Sequence, residues 1–158
     1  SGIGAIRHDQ RIREDMTNQV TSIEQSERLL ELGVPADKAS MAWAQCSGEW
    51  HLSVLPHYTA SKEYIDSGIS IPAFTVADLL GALPSHCRML DGAWLNMEIV
   101  RWEDIWRLSY FQMASGSDEV LYGGAGREYY FLVQSTRLID LLYGAVEWLL
   151  SKKCKLKI

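Results

Sequence analysis

The chain has no apolar run near the ~18 residues that a membrane-spanning helix needs, and its opening residues, SGIGAIRHDQRIRED, lack the apolar block of a secretory signal. A cytoplasmic location is expected. Cysteine is scarce: Cys46, Cys87 and Cys154 are odd in number and contain no CxxC pair, which argues against a disulfide framework and fits a reducing compartment. Basic charge is in deficit, with 15 Lys+Arg against 20 Asp+Glu and a net charge of −5. Four of those lysines, Lys152, Lys153, Lys155 and Lys157, crowd into the tail, and without them the balance is 11 against 20, or −9. A long phosphate backbone would be repelled by most of this surface, so general nucleic-acid binding is excluded while a small anion in a local basic pocket is not. The tail reads as a solvated end.

Catalytic signatures are missing as well. The glycines of GGAGR, Gly123 to Arg127, precede a strand pattern and no Lys-Ser/Thr follows, so neither a P-loop nor a dinucleotide fingerprint is present and a flexible hairpin loop is the simpler reading. His8, His51, His57 and His86 show no metal-ligand spacing, and neither metal nor cofactor is expected. No serine lies in a G-x-S-x-G elbow and no Cys/His pairing carries a local signature. A phosphodiesterase-like hydrolase stays open as a third reading, because catalytic carboxylates leave little trace in one sequence.

What is present is the pattern of an α+β protein. Its 158 residues suit one hydrophobic core, so residues 1–15 are expected to be a flexible extension and 16–158 a single domain. Ser22 and Gln25 form an S-x-x-Q capping box for a helix over 23–32, which Gly33 and Pro35 stop. Ser47-Gly48 separates two alternating stretches and signals a hairpin. Residues 56–72 have no sustained period and read as the longest loop. Thr75 with Asp78 caps a short helix that ends before Pro84. From Trp94 to Gln134 the pattern is strand-like, and TRLIDLLYGAVEWLLSKK closes the chain as its longest helix. The expected order is α-β-β-α-β-β-β-α: a largely antiparallel sheet with about three helices packed on one face.

The densest aromatic stretch is VRWEDIWRLSYFQM, residues 100–113. With Glu103-Asp104 as a two-residue turn, Trp102 faces Ile105, Ile99 faces Leu108 and Met97 faces Tyr110. One face then collects Leu95, Met97, Ile99, Trp106, Leu108 and Tyr110, and extending the alternation adds Trp50, Leu52, Tyr129, Phe131 and Val133. The other face receives Asn96, Glu98, Val100, Arg107, Ser109 and Phe111, with His51 and Tyr130 outside. Such a face is either simply solvated or a platform on which an aromatic ring stacks against a base while arginine meets a phosphate. A one-residue bulge would exchange the two faces.

The segments SIEQSERLLELGVPADKASMAW, IPAFTVADLLGALP and LIDLLYGAVEWLLSKK together resemble a group of small uncharacterised proteins from phages and integrated elements of gut bacteria. The likeness covers most of the chain after Met16 and implies a source, the cytoplasm of a bacterial host, more than an activity. By analogy with small phage proteins, it suggests counter-defence, either by sequestering a nucleotide-derived immune signal or by blocking a host protein. The leading expectation is a non-enzymatic protein that sequesters a small nucleotide-like ligand. Tyr58, Tyr130 or a tryptophan would stack on its base, Arg101, Arg107 and Arg127 would contact phosphate, and His51 and Ser109 would orient it. The alternative is a protein–protein module. On the closing helix, Ile139, Val146 and Leu150 adjoin the main apolar stripe, and self-association through them into a homodimer or higher homo-oligomer is expected.

Overall fold

A computed structural model of the chain describes residues 16–53, 67–113 and 126–158. The fold is α+β, and the chain divides into two compact units that meet in sequence after Leu80.

In the first unit, helix α1 spans Ile23–Glu31, and the expected capping box is complete: the Ser22 hydroxyl accepts from the Gln25 amide at 3.1 Å, and the Gln25 side chain accepts from the Ser22 amide at 3.0 Å. Two orphan donors of the first turn are thereby satisfied. Strands β1 (Met41–Cys46) and β2 (Glu49–Ser53) form the expected hairpin about Ser47-Gly48. Both turn residues have positive φ, 54° and 81°, which matches the right-handed twist of the flanking strands. The short strand β3 (Ser70–Ala73) pairs antiparallel with the other side of β1, giving the order β2-β1-β3. Val20, Met41 and Ala73 form a small core against which Trp43 and Leu52 pack. Thr21 ties it together: its hydroxyl accepts from the Phe74 amide and hydrogen-bonds Ser26 at 2.7 Å, while its carbonyl accepts from the Trp43 indole at 2.9 Å. Helix α2 (Val76–Ala82) begins where Thr75 accepts from the Asp78 amide and Asp78 accepts from the Thr75 amide, the reciprocal cap expected from this pair.

The second unit is a four-stranded antiparallel sheet in the order β4-β5-β6-β7, formed by His86–Arg88, Trp94–Trp102, Ile105–Met113 and Arg127–Ser135. The β5/β6 register is the one expected: Trp102 opposes Ile105, Ile99 opposes Leu108 and Met97 opposes Tyr110. Glu103 makes the turn with φ of 55°. Helix α3 (Leu138–Ser151) lies against β6 and β7. Its Trp148 stacks on Phe131 and Tyr110, with ring centroids 5.0 and 5.7 Å apart, so the face bearing Leu95, Leu108, Tyr110 and Phe131 is the helix-covered one. The Tyr110 hydroxyl donates to the Pro84 carbonyl at 2.8 Å.

Several expectations are corrected. The strands form two sheets rather than one, and β3 and β4 are additional: the end of the expected loop over 56–72 belongs to β3. Trp106 is only half-buried, because at the turn end of β6 the neighbour over its ring is the Arg101 guanidinium, 5.2 Å from the centroid. Trp50 and Leu52 are half-buried rather than fully enclosed. In the stripe that adjoins the main apolar face of α3, Ile139 and Val146 are 0% exposed and Leu150 is half-buried. The tail lysines are exposed, as expected of a solvated end, while the backbone is anchored where the Lys157 amide donates to the Ala82 carbonyl at 2.7 Å and Cys154 is buried.

Candidate functional site: the sheet face away from α3

The second face of the four-stranded sheet follows from strand parity. On β5 it carries Trp94, Asn96, Glu98, Val100 and Trp102, and on β6 the residues opposite them, from Ile105 through Arg107, Ser109 and Phe111 to Met113. On β7 the alternation is broken. Tyr110 opposes Phe131 but Phe111 opposes Tyr129, so a bulge leaves Tyr130 as the extra residue. The bulge reverses the facing of the first part of β7. Tyr129, expected in the core, joins Phe111 on the second face, with ring centroids 6.0 Å apart. Tyr130, expected on the open face, is half-buried at the kink with its hydroxyl 3.4 Å from Asp91. Burial, then the negative charges of Asp91 and Glu128, push that phenol up from its ordinary value.

This face concentrates apolar groups in water. Trp94, Trp102, Ile105, Met113, Tyr129 and Leu132 all lie on it and are between 39% and 75% exposed. At the turn end, Val100, Trp102, Glu103, Ile105, Arg107 and Gln134 line a cleft of about 290 Å³. Among the described residues no ion pair is made by Arg107, whose side chain lines this cleft. Toward the other end, Arg127 donates to Glu98 at 2.9 Å and lies 4.3 Å over the Phe111 ring. The Glu98 hydrogen bond raises the Arg127 guanidinium further above its already high value. That charge is internally balanced, and the Arg127 guanidinium over the Phe111 ring and the Tyr129 ring beside it explain why Phe111, on the expected face, is buried rather than open.

Of the sequence-derived candidates, the structure brings Arg107, Ser109 and Arg127 onto this one face. Ser109 is buried between its neighbours rather than presented to solvent. Arg101 belongs to the opposite parity, where it stacks on Trp106 and donates to the Glu103 carbonyl at 3.0 Å, so it does not join Arg107. His51 lies on β2 in the first unit, 3.9 Å from Glu49, beside a separate hollow lined by Trp43, Trp50 and Leu52. Tyr58, His57 and most of the GGAGR loop lie outside the described residues. Trp102, Leu132 and Tyr129 were missed as site residues; the parity of Trp102 with Arg107 was readable, whereas the facing of Tyr129 depends on the bulge. Among the described residues no three His, Cys, Asp or Glu side chains come together to hold a metal ion, and no helix is long and apolar enough to cross a membrane. No protein-family model, curated protein or solved structure matches the chain.

Proposed function

We propose that this chain is a non-enzymatic binding protein that docks an apolar surface of another protein on the uncovered face of its four-stranded sheet. The observation that carries this is the grouping of six exposed large apolar side chains on one sheet face. Scattered exposed hydrophobics need no explanation, but several gathered on one sheet face, with Arg107 and Glu98 among them, point to an interaction surface. Burying such a side chain is worth roughly 1.5–3 kcal/mol, so a partner that covers several of them has its driving force supplied. Trp102 and Tyr129 are the residue types that most often anchor interfaces, and Arg107 and Glu103 beside the cleft provide polar register. The resemblance to phage and mobile-element proteins makes a host protein of the bacterial cytoplasm the partner class, with counter-defence by blockade as the role.

A second reading is favoured by the cleft itself: the Trp102 indole, the Arg107 guanidinium and the Gln134 amide combine a stacking surface, a cation and a hydrogen-bonding edge, as sequestration of a small nucleotide-derived ligand requires. With Arg127 engaged by Glu98 and Arg101 on the other face, Arg107 is the one cation lining the cleft among the described residues, so the protein-docking reading ranks first. To separate the two, wild type, a Trp102→Ser/Leu132→Ser variant and a Leu90→Ser control are immobilised and exposed to bacterial extract. A specific protein retained by wild type and control but lost from the double variant supports docking. A nucleotide released intact on heat denaturation supports sequestration, and recovery of its hydrolysis products indicates an enzyme. Retention equal in all three proteins refutes the face as the site.

A further inference from the structure

We propose that Cys87, Met89 and Cys154 form a binding site for a soft monovalent metal ion, Cu(I). Sulfur atoms from two distant segments of the sequence, Cys87 and Met89 on one and Cys154 on the other, lie on the helix-covered side of the sheet's β4 edge, independent of the open face. Cys87 sits on β4 opposite the fully buried Leu95. Met89 follows in the β4/β5 turn, which is closed by its amide donating to Ala93 at 2.8 Å and its carbonyl accepting from Gly92 at 3.0 Å. Cys154 comes just after α3, where Lys153, with φ of 58°, turns the chain and the Cys154 amide donates to the Leu149 carbonyl at 2.9 Å. Backbone hydrogen bonds therefore fix the segments that carry the sulfurs before any ion arrives.

The geometry and chemistry select the ion. The Cys154 Sγ lies 3.6 Å from the Met89 Sδ, and buried Cys87 lies near enough to Cys154 for that group to help push its thiol up. Three sulfur ligands around one metal at about 2.3 Å stand about 4 Å apart, close to the 3.6 Å between the Cys154 and Met89 sulfurs. Thiolate and thioether donors favour Cu(I), whereas zinc in a structural site takes four Cys, His or carboxylate ligands, and among the described residues no third such group joins the two cysteines. Both cysteines are buried, which shields a bound Cu(I) from water and oxidant. An opening of about 280 Å³ lined by Met89, Leu90, Asp91, Lys152 and Lys153 gives the ion a way in. Binding forms two Cu–thiolate bonds and one Cu–thioether bond and releases both thiol protons to solvent, with no change of oxidation state when the metal enters as Cu(I). The complex carries one negative charge, and Lys152 and Lys153 at its mouth offset it.

The test is an anaerobic titration of the full chain with Cu(I) against the chromogenic chelator bathocuproine disulfonate. Wild type should hold one Cu(I) per chain in competition with the chelator, and Cys46→Ser should match it. Cys87→Ser and Cys154→Ser should each lose at least about 100-fold in affinity, the upper end of what losing an outer-shell partner costs. Met89→Leu keeps the side-chain volume and the fold, and should weaken binding about tenfold. X-ray absorption should count three sulfur neighbours in wild type and two in Met89→Leu. The proposal is overturned if the chelator strips all Cu(I) from wild type, if Met89→Leu changes neither affinity nor sulfur count, or if Cys46→Ser abolishes binding.

Discussion

Leu108 and Leu132 provide a matched pair for testing which sheet face is core. Both are leucines on adjacent paired strands, Leu108 opposing Val133 and Leu132 opposing Ser109. Strand parity alone separates their surroundings: Leu108 is 0% exposed on the face covered by α3, and Leu132 is 48% exposed on the other. Leu108→Ala removes buried methyl groups and leaves a cavity among rigid neighbours, a change that costs about 2–5 kcal/mol. Leu132→Ala forfeits only the half of its burial that the sheet provides, about 1 kcal/mol or less. With a urea slope of roughly 1–3 kcal/mol per molar, a gap of about 2 kcal/mol separates the two unfolding midpoints by roughly 1 M. Urea melts followed by tryptophan fluorescence and by circular dichroism, at equal slopes, read this directly. Equal costs, or a larger cost at Leu132, would refute the assignment of faces and with it the docking surface.

Two further outcomes are expected from the same interior. Tyr110→Phe keeps the stack on Trp148 but removes the hydrogen bond to Pro84, and should cost about 1 kcal/mol in urea melts, well below the cost of Leu108→Ala. Burial first, and then Cys154, push the Cys87 thiol from 9.0 up to about 12, and burial pushes the Tyr110 phenol up as well. Between those values the folded chain keeps protons that the unfolded chain has lost, so stability is complete below about pH 9 and falls as the pH rises toward 12. Urea midpoints that stay flat from about pH 8 to about pH 11 would contradict this.

The parts of the fold that were legible in the sequence are those set by local chemistry. Ser22 with Gln25 and Thr75 with Asp78 announce helix starts because each pair satisfies amides within its own turn. Ser47-Gly48 and Glu103-Asp104 announce reversals, and the second one sets the β5/β6 register residue by residue. The parts that were not legible depend on distant partners. β3 is four residues long and contains Pro72, which removes a ladder donor, so it carries little strand signal of its own; its position at the sheet edge opposite β1 makes the proline tolerable. β4 is three residues long and is defined by its pairing with Trp94 to Asn96. The width of the α3 stripe was readable, but whether Ile139 and Val146 are covered within the chain is a tertiary fact that helical period does not encode.

The candidate site was legible only as far as the bulge. Parity from the Glu103-Asp104 turn places Arg107, Ser109 and Phe111 on one face, and the structure agrees through Asn96 opposite Phe111. One extra residue on β7 then shifts Tyr129 across the sheet and leaves Tyr130 at the kink. No glycine marks the place, and two consecutive tyrosines offer no compositional hint as to which of them faces which way. Yet that single residue changes the chemistry of the face. Without it, Tyr130 would stand beside Phe111, and Tyr129 would point toward α3. With it, Tyr129 extends the apolar set that runs from Trp102 and Ile105 through Leu132 to Met113, while the Tyr130 hydroxyl is directed to Asp91. The bulge thus exchanges one tyrosine for the other beside Phe111 and brings Arg127, rather than Glu128, opposite Met113. Because Arg127 is already paired with Glu98, the cation that the bulge brings to this face is balanced within the sheet, which is consistent with the proposed docking of a protein surface.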